Sequence, residues 1–549
     1  MRSAVRQWLA VLVLTLAYSW AFASGRLVFE KVNDVRGSEN AFAPYTRVLS
    51  QLKQLVDNDE LKTSDEDEDG ISFEKEKATA DAFGKTVRVK QLYNGVEILG
   101  FGATVNLVDN QSGKSTIYTA DLVRGLGNVN KASGLAKLSP GAVLEHTKLR
   151  LLNTPIGSKL SGPLWDHLKD TVQPIVYVDR EAGEAVAAHF VQFLDNKDDA
   201  PKYHSAIVDH TGNILKQWNE IRSCIFKKKK KKKPKLDGGS PKASTDKSPG
   251  GNRKIGKKFY SYKDPLFKVS KLEDGKCALI TQYQAVLDGR RSKKTAKLHT
   301  FTCYQNTERQ VNGAYSPMND AFHHSFIIHN IYVQNAFWNG RYAVFGDGGR
   351  LMYPLTSLDV VSHEVAHGVT SGSSQLYNEG EAGGLGESFS DMAGITTLAY
   401  HNGYNPNTFE WKIGADVTKR WSQLRCMDNP PCDKTSIDHM KDLKKGQEEH
   451  SSNGIYNKVF YLVTKKSKGH PRDTFDLFYF ANTRYWTRFS RLLDAAEKTL
   501  RALAHLKEGK FLPRNYDHIT FEVVVDAFKE VGINCERAGS ADDQWDCKK

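Results

Sequence analysis

Through the first half of the chain, apolar and polar residues alternate with a period of two, the pattern of half-buried strands. Lys85-Thr-Val-Arg-Val-Lys-Gln-Leu-Tyr, Val96-Glu-Ile-Leu-Gly and Ala103-Thr-Val-Asn-Leu-Val predict three strands, and Asn94-Gly95 predicts a hairpin turn between the first two. Pro174-Ile-Val-Tyr-Val and Ala206-Ile-Val-Asp continue the β pattern. From Gly256 to about Leu351 short strands and turns persist, with one helical stretch predicted over 321–332. After Ser357 the period lengthens to that of a helix. Leu358, Val361, Val365 and Val369 form one stripe, with Ser357 as N-cap and Gly372 as stop, and further helices are predicted over 452–465, 491–506 and 516–531. The pattern reads as α+β: a β-rich region, then a β-rich half and an α-rich half.

Three stretches fit neither period. Arg2 and Arg6 precede an apolar run from Trp8 to Trp20 that ends in Ala21-Phe22-Ala23, the layout of a secretory signal peptide over 1–23. Its apolar core falls short of the ~20 residues that span a bilayer, so secretion is expected and stable membrane insertion is not. Residues 57–70 are acidic and polar, a solvated loop. Lys227 to Lys233 is an unbroken lysine run followed by Pro234, Lys235 and a Gly/Ser/Pro/Lys-rich stretch. Like charges repel and nothing here can be buried, so 227–250 is expected to be an extended linker where cleavage occurs. It separates a β-rich region over 24–226 from a domain over 251–549, whose halves divide near 356.

The net charge of +13 comes largely from that run and says little about the folded parts. A basic run can bind a polyanion, but a signal peptide and the lack of any base-reading module exclude a nucleic-acid partner. At 549 residues with 40% hydrophobic content, the chain has room for more than one core. Six of its seven cysteines fall into close pairs, Cys277 with Cys303, Cys426 with Cys432, and Cys535 with Cys547. These are the expected disulfides in an oxidising compartment, although spacing leaves other connectivities open. Cys224 is left over.

The chemistry concentrates on the helix after Ser357. His363 and His367 lie one turn apart, so both rings can reach one zinc ion, and Glu364 can take a proton from a metal-activated water. Histidines four apart on an amphipathic helix also occur without a metal. Downstream, Gly383-Gly-Leu-Gly-Glu387-Ser-Phe-Ser-Asp391 places two carboxylates one turn apart: Glu387 can complete a His-His-Glu site, and Asp391 can hold the far nitrogen of a ligand histidine. The clustered His323, His324 and His329 are set aside as non-ligands.

SHEVAHGVT and GGLGESFSDMAG together resemble the thermolysin-like metalloproteases, especially their vibriolysin and bacterial elastase branch. The likeness implies a two-lobed catalytic domain with the zinc helix between the lobes. Gln91, Tyr93, Gly95, Val96, Ile98 and Gly100 resemble that family's propeptide, which implies that 24–226 is a folding aid and inhibitor. By the same resemblance His450 would stabilise the oxyanion with Glu448 behind it. Arg425, Asn335 and Ala336 would hold substrate backbone, the last two on an apolar segment preceding an edge strand that begins near Tyr342. Met352, Leu355, Val360 and Leu424 would line an apolar pocket, favouring cleavage on the amino side of hydrophobic residues. The Cys277–Cys303 pair resembles a bridge of the elastase branch.

Three departures stand out. Gly386 replaces an asparagine that supports a ligand histidine, and Asn378 replaces the tyrosine that assists the oxyanion, with Tyr377 beside it as a substitute. Of a family calcium site, Asp359 and Glu410 are kept, but Ile395 and Leu398 replace two glutamates, so at most a weak calcium site is expected. The expected function is a secreted zinc endopeptidase made as a latent precursor and acting on protein or peptide substrates. The alternative is a catalytically weakened relative that binds extracellular peptides or polyanions.

Overall fold

The computed structural model describes residues 28–33, 69–81, 84–106, 116–127, 129, 139–152, 168–180, 182–195, 202–223, 247–262, 267, 269–272, 274–280, 286–288, 297–306, 310–324, 328–330, 336–341, 343–349, 351–508, 515–538 and 545–549. The signal segment, Cys224, the lysine run and Asn335 lie outside the described residues. The chain divides into two compact units, one built mainly from residues before Trp218 and one that includes everything from Asn219 onward.

The first unit contains β1 (Val28–Asn33), β2 (Ile71–Asp81), β3 (Gly84–Tyr93), β4 (Val96–Asn106), β5 (Thr116–Arg124), helix α1 (Pro140–Leu152), β6 (Thr171–Asp179), β7 (Glu184–Asp195), β8 (Lys202–Asp209) and β9 (Ile214–Asn219), whose strands form one mixed sheet in which β4 and β6 pair in parallel. Its sheet runs β1-β5-β4-β6-β7-β8-β9, with β3 on β4 and β2 on β3. The alternation buries Ile71, Phe73, Val87, Val89, Ile98 and Val105 in one core. The predicted Asn94-Gly95 turn is present, with φ of 47° and 72°, as a two-residue hairpin requires. Gln91 sits at a bulge in β3 and clips onto β5. Its side-chain amide donates to the Val123 carbonyl at 2.7 Å and accepts from the Val123 N–H at 3.0 Å.

The second unit begins with β10 (Arg222–Ser223), followed by the hairpin β11 (Lys247–Asn252) and β12 (Gly256–Ser261). The end of the expected linker, Lys247–Gly250, is therefore paired strand: its short side chains can pack close, as at Gly250, where a Cβ would meet Asp320 Oδ1 at 2.3 Å. Then come β13 (Val286–Asp288), β14 (Lys297–Leu298), α2 (Pro317–His324), β15 (Ile328–Asn330), β16 (Ala336–Trp338) and β17 (Ala343–Phe345). The helix predicted over 321–332 ends at His324, and Ile328–Asn330 is a strand paired in parallel with both β13 and β17. An apolar run this short does not distinguish helix from buried strand. The sheet order is β10-β16-β17-β15-β13-β14, so β17, the strand after Tyr342, lies between β16 and β15 and is not an edge strand.

Asp320 on α2 ties this lobe together. Its Oδ1 accepts the Gly251 N–H at 2.8 Å and the Tyr260 hydroxyl at 2.6 Å, and burial pushes its pKa up to about 6.

The α-rich half contains α3 (Leu358–Gly372), α4 (Gly380–Asn402), α5 (Glu449–Ser467), α6 (Pro471–Phe480), α7 (Leu492–Glu508) and α8 (Phe521–Glu530). Glycines let α4 approach its neighbours: a Cβ on Gly384 would meet Ser452 Oγ of α5 at 2.3 Å, and one on Gly394 would meet the Asp359 carbonyl of α3 at 2.9 Å. Ser357 stands at the N-cap of α3 without a capping bond from its side chain. Its hydroxyl donates to Asp359 Oδ1 at 2.5 Å instead. Disulfides join Cys277 to Cys303, Cys426 to Cys432 and Cys535 to Cys547.

Candidate metal centre

The helical spacing of α3 and α4 brings His363, His367 and Glu387 to one point, all buried, with their ligand atoms within 4.8 Å of one another. His363 Nε2 and His367 Nε2 lie 3.1 Å apart. Each also faces Glu387, at 3.3 Å from Oε2 and 3.4 Å from Oε1 respectively. A tetrahedral ion with bonds of roughly 2.0–2.1 Å needs donors about 3.3–3.4 Å apart, so the set matches zinc in both chemistry and spacing. Beside it Glu364 is fully buried, and among the described residues neither carboxylate oxygen has a hydrogen-bond partner. Burial, reinforced by the nearby Glu387 charge and opposed by His363, pushes its pKa up to about 8.

Asp391 is the hub behind the ligands. Its carboxylate accepts from His363 Nδ1 at 2.9 Å, from Arg425 Nε at 2.7 Å and Nη2 at 2.6 Å, and from the Asn453 and Asn457 amides at 3.0 and 2.9 Å. Burial alone would raise its pKa, but Arg425 and His363 hold it below the usual carboxylate range. Arg425, expected to face substrate, thus also anchors this hub, a link that sequence reading missed. A second missed contact pairs Ser390 Oγ with His367 Nδ1 at 3.0 Å.

His450 has Nδ1 at 2.7 Å from Glu448 Oε1, while its Nε2 lies 3.2 Å from Glu387 Oε2. Met352, Leu355, Val360 and Leu424 all join one apolar cluster of the second unit. Ala336 is buried on β16, opposite Phe345. The substitute tyrosine is otherwise engaged: the Tyr377 hydroxyl donates to Glu379 Oε2 at 2.9 Å. Asn378 donates to the backbone carbonyl of Asn219 at 2.8 Å.

Both carboxylates of the expected calcium pair contact protein donors. Asp359 accepts from Ser357, from Val360 N–H at 2.9 Å and from Gly414 N–H at 2.6 Å, while the largely exposed Glu410 pairs with Lys412 at 2.8 Å. Ile395, fully buried, adds no oxygen. Calcium needs six to eight oxygens, and protein donors already occupy those of Asp359.

The sequence is similar to those of known proteins. Residues 292–371 match the catalytic domain of the thermolysin metallopeptidases, and residues 374–533 match their alpha-helical domain. The neutral protease of Vibrio proteolyticus is 28% identical over 478 residues, spanning 82% of this chain and 71% of the relative. The hemagglutinin/proteinase of Vibrio cholerae is 29% identical over 476 residues, with the same coverage of 82% and 71%. A zinc metalloproteinase of Legionella pneumophila is 29% identical over 461 residues, 74% of this chain and 79% of that protein. With the metal ligands converging in the fold and both family domains matched in order, the chain belongs to the thermolysin-like zinc metalloproteases, on their vibriolysin-like side, and is a zinc metalloendopeptidase.

Proposed function

We propose that this endopeptidase is secreted as a latent precursor and cuts peptide bonds on the amino side of hydrophobic residues. The observation that carries the catalytic part is the buried, unpartnered carboxylate of Glu364 beside the three-ligand cluster. When bound there, zinc supplies Lewis-acid polarisation and lowers the pKa of water. Glu364 accepts the proton of the attacking water and passes it to the leaving nitrogen. His450 donates Nε2–H to the developing oxyanion, with Glu448 fixing the tautomer from Nδ1. Arg425, Asn335 and Ala336 hold the substrate chain, and Met352, Leu355, Val360 and Leu424 accept the apolar side chain that follows the cut.

Latency draws support from β10. Arg222 and Ser223 pair antiparallel with Trp338 and Phe337, adding a strand to β16 as an extended substrate would. Residues 24–226 thereby serve as inhibitor and folding aid, and cleavage after this strand frees the sheet edge. Among the described residues no helix is long and apolar enough to cross a membrane.

The test incubates the processed protein with casein, with and without a zinc chelator, beside Glu364→Gln. Loss of hydrolysis with the chelator and with the variant is expected. Proteolysis that ignores both would remove the reading, and no hydrolysis in any sample would favour a peptide-binding role.

A further inference from the structure

We infer that Ser390 is the positioning residue of His367, replacing the amide support that Gly386 cannot give. Glu387, Ser390 and Asp391 stand at i, i+3 and i+4 on α4, so they share one face. That face meets His363 and His367, themselves one turn apart on α3. One face of α4 therefore provides a ligand and the far-side partner of both ligand imidazoles: Asp391 on His363 Nδ1 at 2.9 Å and Ser390 on His367 Nδ1 at 3.0 Å.

The two supports differ in chemistry. Asp391 is a charged acceptor fixed by Arg425, Asn453 and Asn457. Ser390 is a neutral hydroxyl, fully buried. For His367 to offer Nε2 to a metal, its proton must sit on Nδ1, and the Ser390 oxygen accepts that N–H. The hydroxyl therefore selects the tautomer and fixes the ring plane. Gly386, one turn earlier on the same helix, has no side chain with which to do either.

The test compares zinc affinity, by competition with a chromogenic chelator, in the full-length protein and in Ser390→Ala, Ser390→Thr and Ser390→Val. Thr and Val have nearly the same shape and differ at the hydroxyl, so their comparison separates the hydrogen bond from packing and serves even where the alanine variant folds poorly. Ser390→Ala and Ser390→Val are expected to bind zinc about 10–100-fold more weakly, with Ser390→Thr close to the parent. The absorption bands of the cobalt-substituted protein should shift in Val and not in Thr, because ring orientation changes the ligand field. Ser374→Ala, at a buried serine bonded to Asn482, is the control and should leave zinc affinity unchanged. Equal zinc affinity in Thr and Val would overturn the assignment, as would a loss in Ser374→Ala matching that in Ser390→Ala.

Discussion

Arg425 holds Asp391 through two parallel hydrogen bonds, Nε to Oδ2 at 2.7 Å and Nη2 to Oδ1 at 2.6 Å, with both side chains buried. The pair joins Arg425, which immediately precedes the Cys426–Cys432 loop, to the metal helices, and it puts a charge behind His363. Removing one partner leaves the other buried and unpaired. Arg425→Met should cost about 3–5 kcal/mol in denaturant unfolding and weaken zinc binding together with stability. Arg425→Lys keeps the charge without the fork and should fall between the two. Unchanged stability in Arg425→Met would show that the pair is not structural.

Asn378 donates to the Asn219 carbonyl, in the segment that leads into β10. A single neutral hydrogen bond contributes about 0.5–1.5 kcal/mol. Asn378→Ala should therefore raise the residual activity of the uncleaved precursor roughly two- to tenfold, read with a quenched-fluorescence peptide. A precursor as silent as the parent would separate Asn378 from latency.

Because protein donors occupy the Asp359 carboxylate, thermal unfolding should give the same midpoint in zinc-containing buffer with and without added calcium. Asp359→Ala strands the Gly414 and Val360 N–H groups and should cost on the order of 3 kcal/mol. A midpoint that climbs with calcium concentration would restore a calcium site.

Asp320 gives a pH dependence with a definite sign. Burial raises its folded pKa to about 6, above the ordinary carboxyl value that the unfolded chain retains. Between about pH 4 and 6 the folded state keeps a proton that the unfolded state has released, so this group's stabilising contribution is complete at low pH and is lost as pH rises. The difference in unfolding free energy between the parent and Asp320→Asn should change by about 2–3 kcal/mol across that window, to the disadvantage of the parent at higher pH. A difference that stays flat would contradict the raised pKa.

The parts of the site legible in the sequence were those with a local period. His363 and His367, then Glu387 and Asp391, declare themselves because four residues make about one helical turn. The hairpin at Asn94-Gly95 and the close cysteine pairs were equally local. What stayed hidden depends on contacts between distant segments. Arg425 reaches Asp391 across 34 positions, and Asn453 and Asn457 reach it from a third helix. Ser390 carries no signal of its own; only the missing side chain at Gly386 hinted that His367 needed another partner. The strand at Ile328–Asn330 was hidden by shortness, and the Ser357 hydroxyl by the choice between two nearby partners, the helix N-terminus offering donors and Asp359 an acceptor.

The proposed chemistry depends above all on His363, His367 and Glu387 binding one ion together. X-ray absorption at the zinc edge, with metal content measured on the same sample, examines this directly. We predict one zinc per chain with two imidazoles and a carboxylate among nitrogen and oxygen neighbours at roughly 2.0–2.1 Å, and loss of that zinc in Glu387→Ala. Sulfur in the first coordination sphere, or zinc content unchanged in Glu387→Ala, would contradict it.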